Sequence, residues 1–262
     1  MNTVSLKVES LSCAYGGKII LDDISLSFEP GRLYGILGPN GSGKTTLLRH
    51  LCGLQKPQSG TVLLDGHQNL SAVSRKALAR RISFLPQQHL FPDIPVTDFV
   101  SCGRFPHLGF SQKLSQHDRA AVQTAMEKAG VSSLAHRRLP TLSGGERQRV
   151  FLAMLLAQDT DIVLLDEPTT YLDVHHKFEI SDLCRTLCSE GKTVIAVLHD
   201  LPLALSVCDR IVLLREGCCV AADTPDALFE SGILSTVFGI RLRREEINGE
   251  VFYAELPLHR NF

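Results

Sequence analysis

The sequence predicts an α/β fold that begins with an antiparallel β part and is interrupted by an inserted α-helical subdomain. Three observations support this class. Short alternating segments lie near the N-terminus, apolar runs of strand length recur later in the chain, and helical patterns fill its middle. With 262 residues the chain can form one large domain or two small ones.

The first part of the chain is predicted to be mostly β structure. Residues 5–9 and 24–28 alternate between polar and apolar side chains, which is typical of half-buried strands. Residues 33–37 form an apolar run that indicates a buried strand, and a helix is expected from Lys44 to about Cys52. A further strand is predicted at 61–66, where it ends in an Asp-Gly turn.

The middle of the chain changes character. Residues 86–95 are rich in Pro and Gln, and helical patterns then dominate up to about Gln158. The β/α alternation returns with segments 162–165, 177–189, 193–198 and 211–217. We therefore expect a single domain over 1–262, with a core of 1–86 and 159–225, a helical subdomain of 87–158 and a C-terminal tail of 226–262.

Composition narrows the functional classes. The formal net charge of -1 gives no reason to expect nucleic acid as a partner. The eight cysteines are scattered and form no C-x-x-C pair, which favours reduced thiols in a cytosolic protein. The N-terminus lacks the pattern of a signal peptide, and the longest apolar run, 150–157, is far shorter than the ~20 residues that span a bilayer. Any membrane attachment is therefore expected to come through a partner.

A phosphate-binding loop is the first chemical motif. Residues 38–45 match G-x-x-x-x-G-K-[ST] between a predicted strand and a predicted helix. Its glycines allow backbone N–H groups to approach phosphate oxygens, Lys44 can reach the β- and γ-phosphates, and Thr45 can ligate Mg²⁺. The candidate nucleotide-binding residues here are Gly38, Pro39, Asn40, Gly41, Ser42, Gly43, Lys44, Thr45 and Thr46.

Two carboxylates follow a buried strand later in the chain. Four apolar residues, 162–165, precede Asp166 and Glu167. A parallel strand would present both residues at its carboxyl end, beside the phosphate loop. Asp166 is then a candidate Mg²⁺ ligand, and Glu167 is a candidate general base for an attacking water. These motifs together predict a P-loop ATPase core.

A second glycine turn, Leu142-Ser143-Gly144-Gly145-Glu146, precedes a predicted helix. Ser143 is a natural N-cap with Glu146 at the capping-box position, so a simple helix start is one interpretation. The other is a second anion-binding helix N-terminus. Because a helical subdomain separates it from the phosphate loop, this turn is better suited to a nucleotide held by another copy of the protein.

This turn resembles the signature motif of ABC ATPases, and the surrounding motifs follow in that family's order. The resemblance covers roughly residues 6–217. It implies an adenine-stacking role for Tyr15, a glutamine loop at Gln87 with Gln88 as the alternative, a D-loop at residues 170–173 and a switch histidine at His199.

The resemblance implies roles for these residues. Gln87 would contact Mg²⁺ and the attacking water, and His199 would contact the γ-phosphate. Asp173 would contact the phosphate loop of an opposing protomer, although N-capping of the next helix is its simpler interpretation. Glu167, His199 and Gln87 would be catalytic, while Thr45, Gln87 and Asp166 would hold the metal.

The resemblance also implies partners. Two copies would form a head-to-tail dimer with ATP held between one phosphate loop and the other copy's Ser143, Gly144 and Gly145. Integral-membrane permease subunits would hold the protein at the cytoplasmic face of the membrane, with a substrate-binding protein as an indirect partner. Residues 87–95 and 100–106 are candidates for lining the groove that receives the permease.

Finer features are similar to the importer ATPases for iron–siderophore, haem and cobalamin uptake. They are residues 165–176, residues 197–201 and Gly103-Arg104-Phe105-Pro106-His107. Glu146 departs from the Gln of many siderophore ATPases, which leaves the exact substrate open but not the subfamily. We expect an importer ATPase for a ferric chelate, with haem or cobalamin as the alternative cargo. An exporter ATPase, a soluble ABC ATPase of translation or DNA repair, and a P-loop kinase are the competing classes. Fused membrane segments, a second cassette, or long coiled-coil and zinc insertions would mark the ABC alternatives, and this sequence contains none of them.

Overall fold

The structure is a computed structural model, and it describes residues 4–87, 92–109, 113–170 and 173–257. Its first elements are β1 (Leu6–Tyr15), β2 (Lys18–Phe28), β3 (Leu33–Leu37), α1 (Lys44–Leu51), β4 (Ser59–Leu64), β5 (Gln68–Asn69), α2 (Arg75–Leu78), β6 (Ile82–Leu85), α3 (Val96–Ser101) and α4 (Gln116–Lys128). The chain continues with α5 (Gly144–Gln158), β7 (Ile162–Asp166), α6 (Val174–Ser189), β8 (Thr193–Val197), α7 (Leu201–Val207), β9 (Arg210–Arg215), β10 (Cys218–Asp223), α8 (Pro225–Glu230), α9 (Ile233–Phe238), β11 (Ile240–Ile247) and β12 (Glu250–Pro257).

The N-terminal strands form a four-stranded antiparallel sheet in the order β2-β1-β4-β5. This confirms the antiparallel β part, but β1 and β2 are longer than predicted. The pairing of β1 with β2 shifts register between Val8 and Leu11 and again before Cys13. Such bulges interrupt the alternation of inward and outward side chains. The alternation therefore ends too early in β1 and begins too late in β2, so that each predicted strand is too short.

The second sheet contains six strands in the order β10-β9-β3-β8-β7-β6. Its pairs are parallel except for the β9–β10 hairpin, which is antiparallel. Every residue of β3, β7 and β8 is buried, as continuous apolar runs in a parallel sheet require. The carboxyl ends of β3, β8, β7 and β6 therefore lie next to one another at one edge of the sheet.

The helices α3, α4 and α5 lie between β6 and β7 in the chain, which confirms the inserted helical subdomain of the fold class. Their shared interior includes Phe99 and Phe151, whose ring centroids lie 4.8 Å apart in an edge-to-face arrangement. Arg104 and Asp118 form a buried ion pair of 3.0 Å in the same region. The Arg104 guanidinium also donates to the carbonyl of Ala157 at the end of α5.

The C-terminal tail forms a hairpin that the sequence analysis did not predict. Among the described residues, strands β11 and β12 pair with each other and with no further strand, and β12 packs against α7. Tyr253 is the buried anchor, and its hydroxyl donates to Asp226 across 3.0 Å. In the basic cluster 241–244, Arg243 and Arg244 are exposed, and Arg244 forms an ion pair with Asp226.

All eight cysteines are free thiols, as their scattered positions predicted. Within the described part of the chain, none of the helices combines the length and apolar character needed to cross a membrane.

The buried Arg104–Asp118 pair is expected to stabilise the fold in a way that depends on pH. The pKa of Asp118 is lowered to about 2, chiefly by hydrogen bonds from the Ser115 hydroxyl and backbone N–H, with Arg104 adding to the effect. Because an unfolded aspartate titrates near ~3.9, this group stabilises the fold fully above that pH and loses its contribution as the pH falls toward 2. We expect Asp118→Asn to lower the free energy of unfolding at pH 7 by about 2 kcal/mol.

Urea unfolding of both proteins at several pH values measures this difference. The gap between them is expected to narrow as the pH falls through ~4, since the wild-type carboxylate then becomes protonated. Asp182→Asn, at an exposed position of α6, is the matched control and should remain close to wild type. A gap for Asp118→Asn that is independent of pH would contradict the assignment.

Candidate functional site

The sequence-predicted catalytic and phosphate-loop residues meet at the carboxyl edge of the parallel sheet. The phosphate loop follows β3, His199 follows β8, Glu167 follows β7 and Gln87 follows β6. These four strands are consecutive neighbours in the sheet. Parallel α/β sheets bind ligands at this edge, because the loops after the strands open there.

The phosphate loop adopts a shape that only glycine tolerates at two points. Gly38 has a φ of 152°, and a Cβ there would lie 2.1 Å from the carbonyl oxygen of Leu214. Gly43 has a φ of 98°, and a Cβ there would lie 2.6 Å from the Leu21 side chain. The loop is therefore held between β9 and β2 and leads directly into α1 at Lys44.

Lys44 is buried at the centre of this loop. Its ammonium donates to the carbonyls of Gly38 at 2.7 Å and Pro39 at 3.0 Å. Burial lowers the pKa of Lys44, and the nearby carboxylates of Glu167 and Asp166 partly oppose that change. The positive charge is thus fixed inside the loop, where backbone N–H groups and the start of a helix also favour an anion.

A cleft of about 730 Å³ opens over the loop. The described residues that line it are Lys18, Ile20, Asn40, Gly41, Ser42, Gly43, Lys44, Thr45, Thr46, Gln87, Glu167 and His199. The buried Ser42 hydroxyl oxygen has no hydrogen-bond partner among the described residues. An unpaired buried hydroxyl is costly, so a phosphate oxygen at this point would satisfy it.

Thr45 and Asp166 bring two oxygen ligands together beside the loop. The Thr45 hydroxyl donates to Asp166 Oδ1 across 3.1 Å, and Asp166 is only 2% exposed. Burial raises the pKa of Asp166, and the neighbouring charge of Glu167 adds to the rise against the hydrogen bond from Thr45. The Thr45 hydroxyl oxygen and the Asp166 carboxylate, with the negative charge of Glu167 nearby, fit the needs of a hard cation such as Mg²⁺.

The Glu167 carboxylate contacts the side chains of His199, Gln87 and Thr170 at this edge. His199 Nε2 lies 2.5 Å from its Oε1, while Gln87 and Thr170 donate to its Oε2 at 2.7 and 3.1 Å. Burial on its own would raise the pKa of Glu167, but the contact with His199 and the bonds from Thr170 and Gln87 lower it below the usual value. Glu167 is therefore ionised at neutral pH and can accept a proton.

The backbone at Glu167 is held in an unusual conformation. Its φ is 55°, in the left-handed region that non-glycine residues rarely adopt, and its N–H donates to the carbonyl of Val197 at 3.2 Å. Strain of this kind persists where the surroundings over-determine it, and it is frequent at functional sites. The bend turns the chain so that the carboxylate faces Gln87 and His199.

The remaining predicted residues do not line this cleft. Ser143 and Gly144 are exposed at the start of α5, where Ser143 and Glu146 form the capping box that the sequence indicated. Asp173 caps α6 and accepts from the His176 N–H at 2.9 Å. Its capping role is thereby confirmed, while its contact with another protomer stays a prediction.

Tyr15 lies at the tip of the β1–β2 hairpin. It pairs with Lys18, which lines the cleft, and it is 49% exposed. An exposed aromatic ring next to a nucleotide cleft is free to stack on a base. Gln88, Tyr171 and Leu172 lie outside the described residues, as does the stretch 88–91 of the candidate permease groove.

Sequence reasoning missed three contributors to this region, and it assigned a fourth, Thr170, to the D-loop without foreseeing its bond to Glu167. Lys18 and Ile20 reach the cleft from β2, Thr170 donates to Glu167, and Gln148 donates to the carbonyl of Pro168 at 3.0 Å. Gln148 ties α5 to the turn after Glu167. Thr170 stands three residues after the catalytic candidate, which was an available signal. The sequence contains no such signal for Lys18 or Gln148, because only the fold brings them near this region.

Removal of the Lys44 charge tests the phosphate site. We expect Lys44→Ala to weaken ATP binding at least about tenfold, because a charge-assisted hydrogen bond contributes about 1.5–3 kcal/mol. Equilibrium titration with a fluorescent ATP analogue measures the affinity. Lys7→Ala, at an exposed position of β1, is the control and should bind normally. Unchanged affinity in Lys44→Ala would remove this lysine from the phosphate site.

Comparisons with known proteins agree with this geometry. A sequence profile of the family described as ABC transporter matches residues 21–170. The achromobactin transport ATP-binding protein of Dickeya dadantii is 40% identical over 235 residues, which cover 89% of this chain and 87% of that protein. The ferric enterobactin transport ATP-binding protein of Escherichia coli is 40% identical over 238 residues, covering 90% and 88%.

Comparison with a solved structure also supports the fold of an ABC transporter ATPase. A structure described as a metal-chelate type ABC transporter in an inward-facing conformation matches with a TM-score of 0.85 and 27% identity, over 99% of this chain and 98% of that one. ATP hydrolysis requires groups that hold the phosphates, bind a metal ion and activate a water. The phosphate loop, the pair of Thr45 and Asp166, and the ionised Glu167 are suited to these three tasks. The chain belongs to the ABC transporter family, as one of its ATP-binding, ATP-hydrolysing subunits.

Proposed function

We propose that this protein is the ATPase subunit of a membrane importer for a ferric chelate of the iron–siderophore kind. The observation that carries the ATPase mechanism is the convergence of Gln87 and His199 on the Glu167 carboxylate, at 2.7 and 2.5 Å, next to the phosphate loop. The substrate class rests on the relative named for ferric enterobactin transport and on the similar metal-chelate type transporter.

In the proposed reaction Glu167 is the general base. Its ionised carboxylate takes a proton from a water that Gln87 and His199 orient, and that water attacks the terminal phosphate of ATP. Lys44 and the loop N–H groups hold the phosphates and offset their charge. Thr45, Asp166 and Gln87 would hold Mg²⁺, which when bound neutralises part of the phosphate charge.

The site is completed by a second copy of the chain. The exposed N-terminus of α5 places Ser143, Gly144 and Gly145 and a positive helix end away from its own cleft, although the N–H of Ser143 itself donates to Glu146 within the capping box. A head-to-tail dimer brings this helix end to the partner's nucleotide, with two equivalent sites by symmetry. Asp173 would then contact the partner's phosphate loop, and Tyr15 would stack on the adenine.

Closure and opening of this dimer would drive transport through permease subunits. We propose that the permease holds the ATPase at the cytoplasmic face of the membrane and that a substrate-binding protein delivers the chelate. Within the proposed groove, the Phe105 side chain is 62% exposed. A large apolar side chain at the surface is expected where another protein binds. Haem and cobalamin importers use the same ATPase chemistry and are the alternatives for the cargo.

Glu167→Gln tests the catalytic base. We expect the variant to bind ATP and form a long-lived dimer, while hydrolysis falls at least about a hundredfold, because an amide cannot accept the proton. Light scattering with and without ATP and Mg²⁺ measures the size, and phosphate release measures the rate. Glu230→Gln, at an exposed position, is the control. Retained turnover in Glu167→Gln, or a strict monomer that hydrolyses ATP, would overturn the proposal.

Ser143→Ala tests the shared site. We expect it to leave ATP binding by the monomer intact and to impair hydrolysis, because Ser143 would act on the partner's nucleotide. Loss of an N-cap costs about 1 kcal/mol of stability in any helix, so the control is Ser115→Ala, which removes the matching capping box of α4. Equal ATPase rates in the two variants, both measured well below their unfolding temperatures, would argue against the shared site.

A further inference from the structure

The residue that follows His199 is tied to the helix that follows Asp173. Asp200 caps α7, and its Oδ1 accepts from the N–H of Leu203 at 3.1 Å. Its other oxygen, Oδ2, accepts from Lys177 Nζ at 3.0 Å. The side chains of Lys177 and Asp200 are 29% and 33% exposed, so solvent screens this ion pair only in part.

Lys177 stands one helical turn after Asp173. Its backbone N–H donates to the Asp173 carbonyl at 3.1 Å in the first turn of α6. The ion pair therefore joins the start of α6 to the start of α7. Asp173 caps the first of these helices, and His199 lies immediately before the cap of the second.

A carboxylate from the C-terminal hairpin also influences Asp200. Strand β12 packs against α7, and Tyr253 shares a hydrophobic cluster with Leu201 and Ala204. Partial burial, together with the negative charge of Asp200, raises the pKa of Glu255 on β12. Lys177 supplies the positive charge that is paired with Asp200, and it thereby weakens the repulsion between Asp200 and Glu255. Without Lys177, that repulsion would push the first turn of α7 away from β12.

We propose that Lys177 is a positioning residue for hydrolysis, acting through Asp200 to hold His199 against Glu167 and to link that contact to Asp173. The inference rests on the proposed role of His199. Asp200 is one residue from His199, whose Nε2 contacts Glu167 at 2.5 Å, so a small shift of α7 changes the reacting geometry directly. Contact of Asp173 with a second protomer would then be transmitted to His199 through a single ion pair.

Charge removal at Lys177 tests this inference. We expect Lys177→Met to lower kcat at least about fivefold with ATP affinity unchanged, within the hundredfold that misplacement of a reacting group can cost. Lys177→Arg keeps the charge and should retain most of the rate. Lys192→Met is the matched control, because Lys192 forms a 2.9 Å ion pair with Asp159 at the opposite end of β8. Its kcat should stay within about twofold of wild type.

The His199→Ala background separates positioning from general stability. In that background Lys177→Met should cause no further loss of rate, because its effect passes through His199. An equal loss in both backgrounds, or equal kcat values for Lys177→Met and Lys192→Met, would overturn the inference alone. Full turnover by His199→Ala itself would instead overturn the proposed role of His199, and the inference with it.

Discussion

The parallel pairing of β3, β8, β7 and β6 is the constraint on which the site depends. Strands that run in the same direction end at the same edge, so the loops after them become neighbours although they are far apart in the chain. The register pairs Asp166 with Val197 and Leu85 with Leu165. A slip of one residue in either pair would turn the Asp166 or Glu167 side chain away from the cleft.

The charges at this edge are balanced within a small volume. Asp166 and Glu167 are adjacent in sequence, and they divide their roles by environment. Burial raises the pKa of Asp166, while contacts from His199, Thr170 and Gln87 lower the pKa of Glu167. The contacts around Glu167 therefore favour its charged form, whereas burial disfavours the charged form of Asp166, where a bound cation would offset that cost. Lys44, buried between the loop carbonyls and these acids, adds the positive charge that phosphates require.

Helix capping links folding to function in this protein. Ser143 and Asp173 are both N-caps, and both are proposed to face a partner protomer. A cap fixes the helix end and leaves neighbouring N–H groups free, so the structural role and the proposed binding role are compatible. Asp200 extends the pattern, because it caps α7 and also accepts from Lys177. Helices α6 and α7 are thus connected at their first turns.

The class of the fold and most residues of the candidate site follow from local patterns in the sequence. Buried parallel strands read as continuous apolar runs, and the glycines of the phosphate loop are required by positions such as Gly38, where any side chain would strike Leu214. The capping box of Ser143 and Glu146 was visible for the same reason, since it depends on residues three apart.

Features that depend on residues distant in the chain could be seen only in the folded protein. The bulges of β1 hid its full length, and the β11–β12 hairpin lacked a recognisable pattern because Arg and Glu occupy much of β11. The bonds from Gln87 and His199 to Glu167, from Gln148 to Pro168 and from Lys177 to Asp200 each join separate elements. Local patterns record which residues can form a strand or a cap, whereas the partners of a side chain are set by how the strands are ordered in the sheet.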